Sequence, residues 1–167
     1  SSFPLYLLRH GEPEGAGRLI GLTDAPPIAA GIAACADQAR NLAAEVLIAS
    51  DLSRARLAGE AIALATGVPL SIDPRWRELD FGAWDGMAPG DVEGAALARF
   101  WDDPDGHAPP GGERWSALVE RVSSALGDLA ARPTLIVTHG GAMRAALAVL
   151  DEQAERLMTL RGMFRLK

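Results

Sequence analysis

The sequence predicts an α/β fold: a three-layer α/β/α sandwich around a mostly parallel sheet. Three observations carry that expectation. Short apolar runs such as Leu5-Tyr6-Leu7-Leu8 and Leu135-Ile136-Val137 read as strands buried on both faces, the pattern of a parallel sheet. Segments long enough for helices fall between those runs, and strand–helix alternation marks crossover-connected strands. Two strands near opposite ends of the chain stop at the same pair of residues, in Arg9-His10-Gly11 and Thr138-His139-Gly140. Open α/β sheets bind ligands in the crevice beyond their strand ends, so the two His-Gly corners read as halves of one site.

The elements follow in order. The first strand gives way to a Gly- and Pro-rich stretch over 11–28 that reads as a loop. Loops of that length inside compact domains are usually functional. Residues 29–43 predict an Ala-rich helix weakened by Gly31, and 45–50 a second buried strand. A helix follows over about 51–66, with Ser50 or Asp51 as its N-cap and Gly67, ahead of Pro69, as its stop. Residues 70–72 give a short third strand.

Residues 75–114 change character. They hold six of the nine aromatic residues, Trp76, Phe81, Trp84, Phe100, Trp101 and, at the edge, Trp115. Between Asp80 and Asp105 stand seven acidic residues and one arginine, Arg99. The stretch reads as an excursion over the sheet within a single domain of 1–167, with a short helix near 89–101 and a Pro/Gly loop at 108–112. A helix over 113–130 follows, its apolar positions Trp115, Leu118, Val119, Val122, Leu126 and Leu129 recurring with a 3.6-residue period. A strand at 133–138, a helix near 141–150 and a final amphipathic segment complete the chain.

Composition narrows the function classes. A chain of 167 residues with 49% hydrophobic content can bury one proper core. A net charge of −6 argues against nucleic acid or an anionic membrane as partner. No apolar run approaches the roughly 20 residues of a membrane span. The chain enters its first strand without the apolar leader of a signal peptide, and the single Cys35 forms no internal disulfide; both predict the cytoplasm. Lys167 is the only lysine among sixteen basic residues. A P-loop lysine and a Schiff-base lysine are thereby excluded, and any anion must be held by arginine, histidine and backbone N–H groups.

Those groups converge at the strand ends. His10 and His139 each precede glycine, which lets the backbone approach a ligand, and Gly140-Gly141 opens a helix whose N–H groups suit an anion. Arg9 and Arg54 add guanidinium forks that match phosphate oxygens bidentately. A histidine in such a nest can attack phosphorus and carry it as phosphohistidine, with a carboxyl group protonating the leaving oxygen. Arg56, Arg75 and Arg77 read as surface ion-pair partners and His107 as solvated. With three histidines and none at paired-ligand spacing, no metal is expected.

Arg9-His10-Gly11-Glu12, Ser50-Asp51-Leu52-Ser53-Arg54-Ala55, the run from Arg77 to Gly86, and Thr138-His139-Gly140-Gly141-Ala142-Met143-Arg144 together resemble the motifs of the histidine phosphatase superfamily, whose fold is phosphoglycerate-mutase-like. The resemblance implies that His10 is the phospho-accepting nucleophile. It implies that Arg9, Arg54 and His139 hold the phosphoryl group, and that Glu78 is the general acid, ahead of Glu12 and Glu113. No cofactor is implied. A final edge strand after residue 160 is.

Gly21-Leu22-Thr23-Asp24, the run from Arg77 to Gly86, and Ala108-Pro109-Pro110-Gly111-Gly112-Glu113 are similar to α-ribazole phosphatases of cobalamin assembly. That likeness implies that Gly21 and Thr23 line the substrate entrance, alongside Gly11, Glu12, Gly140 and Gly141. Asp102-Asp103-Pro104-Asp105 stands where a phosphoglycerate mutase would place paired arginines. The expected substrate is therefore a small monophosphate ester with a largely neutral body, α-ribazole 5′-phosphate for example, with the tryptophans of the excursion available to cover a ring, although packing the excursion onto the sheet is the commoner role for most of its aromatics. The alternatives are a phosphoglycerate mutase and a non-catalytic phospho-ligand sensor on the same scaffold. The protein is expected to act as a monomer or homodimer.

Overall fold

The computed structural model describes residues 3–153 and 164–166. Its sheet has the strand order β3-β2-β4-β1-β5, with β1 at Leu5–Arg9, β2 at Val46–Ala49, β3 at Leu70–Ile72, β4 at Thr134–Thr138 and β5 at Phe164–Leu166. All neighbours run parallel except β5, which pairs antiparallel to β1 at the edge. The final amphipathic segment lies mostly outside the described residues.

Strand alternation divides the core into two layers, because successive side chains point to opposite faces. Tyr6 and Leu8 of β1, with Leu135 and Val137 of β4, pack against α1 (Ala29–Ala39) and α2 (Ser53–Thr66). Leu5, Leu7 and Ile136 face the other way, onto α4 (Trp115–Gly127) and α5 (Gly140–Gln153). Trp76, Phe81, Trp84 and Phe100 of the excursion extend this second layer. The result is the expected sandwich.

Several boundaries differ from the sequence reading, each for a local reason. Helix α2 starts at Ser53 rather than near 51, and neither Ser50 nor Asp51 caps it. The Asp51 carboxylate is taken by Arg77 at 2.6 and 2.8 Å, and Ser53 N–H donates instead to Asp24 at 2.6 Å, from the first loop. At its other end α2 stops as expected, with Gly67 in the left-handed region. The helix foreseen at 89–101 is a 3-10 turn, Pro89–Asp91, and a separate α3, Gly94–Asp102. The Glu93 carboxylate accepts the N–H groups of Ala95 and Ala96 and so caps α3 in its own right. Helix α4 starts at Trp115 because Glu113 is held elsewhere, its N–H by the Asp80 carbonyl and its carboxylate by Arg121.

Candidate active site

The register of β1 against β4 builds the centre of the site. Arg9 pairs with Thr138, so the next residue on each parallel strand, His10 and His139, emerges beside the other. His10 N–H donates to the Thr138 carbonyl at 3.0 Å, and the two imidazole rings meet edge-on with centroids 4.9 Å apart. The two His-Gly corners are thus brought together.

His10 Nδ1 lies 2.7 Å from the Gly11 carbonyl oxygen. A carbonyl only accepts, so Nδ1 carries the proton and Nε2 keeps its lone pair. Burial lowers the His10 pKa to about 4, with the positive charges of Arg54 and Arg9 acting in the same direction and the Gly11 bond opposing them. The ring is therefore neutral at neutral pH, with a free lone pair on Nε2. His139 is fully buried, and burial followed by the charge of Arg54 holds it neutral too. Gly11 sits against the backbone of Gly31 in α1, leaving no room for a Cβ at that corner. Gly31, read from sequence as a weakness in the helix, is what lets loop and helix touch.

Arg54 is 1% exposed in the first turn of α2. Its guanidinium donates to the carbonyls of Thr23 at 2.8 Å, Gly21 at 2.7 Å and Ile20 at 3.4 Å. The loop that presents those carbonyls is itself gathered by one carboxylate. Asp85 accepts the N–H groups of Leu22 at 2.9 Å, Thr23 at 3.2 Å and Gly21 at 3.4 Å, and the Thr23 hydroxyl as well. Gly21 lies so close to the Leu79 carbonyl that any side chain there would collide. Gly21 and Thr23 therefore build the seat of Arg54, and neither lines the cleft described below.

Glu78 is fixed at both oxygens: Oε1 accepts from Leu79 N–H at 2.8 Å and Oε2 from Gly141 N–H at 3.1 Å. The N–H at the start of α5 thus faces Glu78, while Gly140 lies against the Arg9 guanidinium. Arg121 anchors the segment from behind. It donates to the Glu78 carbonyl at 2.9 Å and to those of Arg75 and Arg77 at 2.8 Å, and pairs with both oxygens of Glu113 at 2.9 Å. Glu113 is thereby committed to Arg121.

A cleft of about 370 Å³ opens over these groups, lined by Arg9, His10, Gly11, Glu12, Arg18 and Arg54 among others, with Glu78 on its wall. Glu78 also borders a second cavity of about 360 Å³, a mostly apolar groove made by Phe81, Phe100, Trp101, Trp115 and Leu118, with Arg144 at its side. Asp102, Asp103 and Asp105 lie outside the cleft lining, while Pro104 between them borders the apolar groove; Asp103 accepts the N–H of Gly106 in its own turn and Asp105 that of Ser116 at the start of α4, both at 2.9 Å. One expectation needs correction. Trp76 and Trp84 are core residues at 0% and 8% exposure, so Trp101 and Trp115 alone of the four tryptophans are available to a ligand.

Other charged residues singled out in the sequence lie outside the cleft lining. Arg56 pairs with Glu60, Arg75 with Asp73 and Asp128, and Arg77 with Asp51, while His107 is exposed. Among the described residues, no group of His, Cys, Asp and Glu side chains is arranged to hold a metal ion, and no helix is long and apolar enough to cross a membrane. Sequence reasoning missed the roles of Asp85, Asp24 and Arg121. Arg121 alone left a signal, a charge on the flank of the apolar stripe of α4 next to Val122.

Comparison with known proteins extends over nearly the whole chain. Residues 5–162 match the histidine phosphatase superfamily (branch 1). The chain is 34% identical over 174 aligned positions to the probable phosphoglycerate mutase GpmB of an Enterobacter species (strain 638), covering 95% of this chain and 80% of that protein. Among solved structures, it resembles a mycobacterial glucosyl-3-phosphoglycerate phosphatase with a TM-score of 0.80 and 28% identity, over 90% of this chain and 80% of that one. It resembles TTHB049 of Thermus thermophilus with a TM-score of 0.75 and 36% identity, over 89% and 85% of the two chains.

Proposed function

Because the chain belongs to the histidine phosphatase superfamily (branch 1), we propose that it is a phosphomonoesterase working through phospho-His10 on the ester of an alcohol with a flat, largely apolar body. α-Ribazole 5′-phosphate of cobalamin assembly is the candidate substrate. One observation carries the substrate class: Glu78 borders both the arginine-lined cleft and the apolar groove. A phosphoryl group beside His10 then has its leaving oxygen at Glu78 and its organic body directed along Trp101 and Trp115.

The chemistry proceeds in two displacements. His10 Nε2 attacks phosphorus, the bond to the ester oxygen breaks, and a protonated Glu78 gives its proton to the departing alcohol. Water, deprotonated by Glu78, then attacks phosphorus and releases inorganic phosphate and free His10. Arg9, Arg54 and His139 stabilise the charge that builds on the equatorial oxygens. No metal or cofactor enters this scheme. The reading includes action in the cytoplasm, as a monomer or homodimer, without a nucleic-acid partner.

Rapid quenching with labelled substrate tests the intermediate. An acid-labile, alkali-stable adduct is expected in the wild type and absent in His10→Ala, with full activity in the presence of a chelator. Comparing kcat/KM for α-ribazole phosphate, a simple sugar phosphate and 3-phosphoglycerate tests the substrate class. A lead for 3-phosphoglycerate, or mutase activity with a bisphosphate primer, would overturn it in favour of the activity named for the enterobacterial relatives.

A further inference from the structure

Ser50 follows directly on β2 as a fully buried residue, and its hydroxyl oxygen lies 2.8 Å from His139 Nε2. The same oxygen accepts the Leu52 N–H at 3.3 Å. The other ring nitrogen of His139, Nδ1, is buried with no hydrogen-bond partner, a condition shared among the described residues only by Trp76 Nε1.

Two tautomers of the neutral ring have different consequences. With the proton on Nε2, the ring donates to Ser50. The serine hydroxyl hydrogen is then left in the interior without an acceptor, and Nδ1 holds a lone pair that an anion would repel. With the proton on Nδ1, Ser50 donates to Nε2 and accepts from Leu52, so the hydroxyl is satisfied at both ends. A single buried N–H remains unpaired. Burying an unpaired polar group is costly, and the first tautomer leaves the Ser50 hydroxyl hydrogen and the Nδ1 lone pair unmet where the second leaves one N–H. His139 is buried behind the cleft rather than lining it, and its ring meets that of His10 at 4.9 Å between centroids, so a phosphoryl group carried by His10 would bring an acceptor oxygen to this side of the ring.

We infer that Ser50 is a positioning residue whose hydroxyl fixes His139 in the Nδ1–H tautomer, reserving that buried N–H for a phosphoryl oxygen. The inference rests on the phosphohistidine reading for its purpose, although the tautomer itself belongs to the resting protein. Which ring nitrogen carries the proton is set by the bond the other one makes.

Ring ¹⁵N spectra of histidine-labelled protein decide the matter. The wild type, without ligand, should show His139 protonated at Nδ1 and bare at Nε2. Ser50→Ala should lose that preference and weaken orthovanadate binding about tenfold or more, the scale of a hydrogen bond to a charged group. Ser50→Thr, which keeps the hydroxyl, should restore both. An Nε2-protonated His139 in the resting wild type overturns the inference, whatever the variants do. So does a Ser50→Ala protein with tautomer and vanadate affinity unchanged. Absence of phosphatase activity would instead strike the functional reading, because the spectrum needs no turnover.

Discussion

The carboxylate of Asp85 grips Thr23 twice, at its backbone N–H and at its hydroxyl. Thr23 in turn presents its carbonyl to Arg54. A buried guanidinium on the wall of the cleft is therefore aimed by a residue 31 positions further along the chain, through a loop with no regular structure of its own. Asp85→Ala should lower kcat/KM by about tenfold to a hundredfold, the cost of roughly 1.5–3 kcal/mol in charge-assisted hydrogen bonds. Its thermal midpoint should move little. Unchanged kinetics would show that the loop keeps its shape unaided.

The His10 ring should titrate near pH 4, not near its ordinary 6.5, when followed by NMR in the free protein. The sign for stability follows. Between those values the unfolded chain binds a proton that the folded chain refuses, so folding stability falls as pH drops from about 6.5 towards 4. His139, also held low by burial, adds to the same slope. Relative to His10→Asn, the wild type should lose stability across this window, measured by denaturant midpoints at a series of pH values. A His10 midpoint near 6.5 would mean that the ring is open to water.

Glu78→Gln removes the proposed proton donor but keeps the shape of the side chain. Protonation matters most for a poor leaving group. The variant should therefore lose much more activity on an alkyl phosphate than on nitrophenyl phosphate, by about tenfold or more in the ratio, within the range general acids contribute. Equal losses would pass the acid role to Glu12, since Glu113 is bound to Arg121.

Trp101 is 57% exposed on the wall of the apolar groove. Trp101→Ala should reduce kcat/KM for a ring-bearing substrate by about twofold to tenfold, the worth of one aromatic contact at 0.5–1.5 kcal/mol. A simple sugar phosphate should be unaffected. Equal effects on both substrates would remove the groove from substrate recognition.

What the sequence makes legible here is what local patterns encode. The apolar runs of β1 and β4 specify doubly buried strands, and parallel register then does the rest, carrying His10 to His139 with no further instruction. Arg54 was legible from its place one turn into a helix after a strand. The partners that orient these groups were not. Asp85 bonds a loop some sixty residues earlier, and Arg121 reaches back more than forty to the Glu78 carbonyl; no periodicity records such pairings. The excursion's own bonds are hidden in the same way: Asp105 accepts the N–H of Ser116, eleven residues on, and nothing in the acidic run records it. Trp76 could not be told from Trp101 by residue type, although one lies in the core and the other on a groove.

The contact between Gly31 and the loop after β1 sets a limit for anyone engineering a hardier form of this protein. Replacing a helix glycine by alanine is a routine thermostabilising step, worth up to about 1 kcal/mol. At Gly31 the added methyl would stand 3.0 Å from the Glu12 nitrogen and 3.2 Å from the Gly11 carbonyl carbon. The helix would gain propensity while the methyl pushed on the segment next to His10, the residue proposed to accept the phosphoryl group. A screen for heat tolerance alone would accept that exchange, whereas one that also scores turnover would reject it.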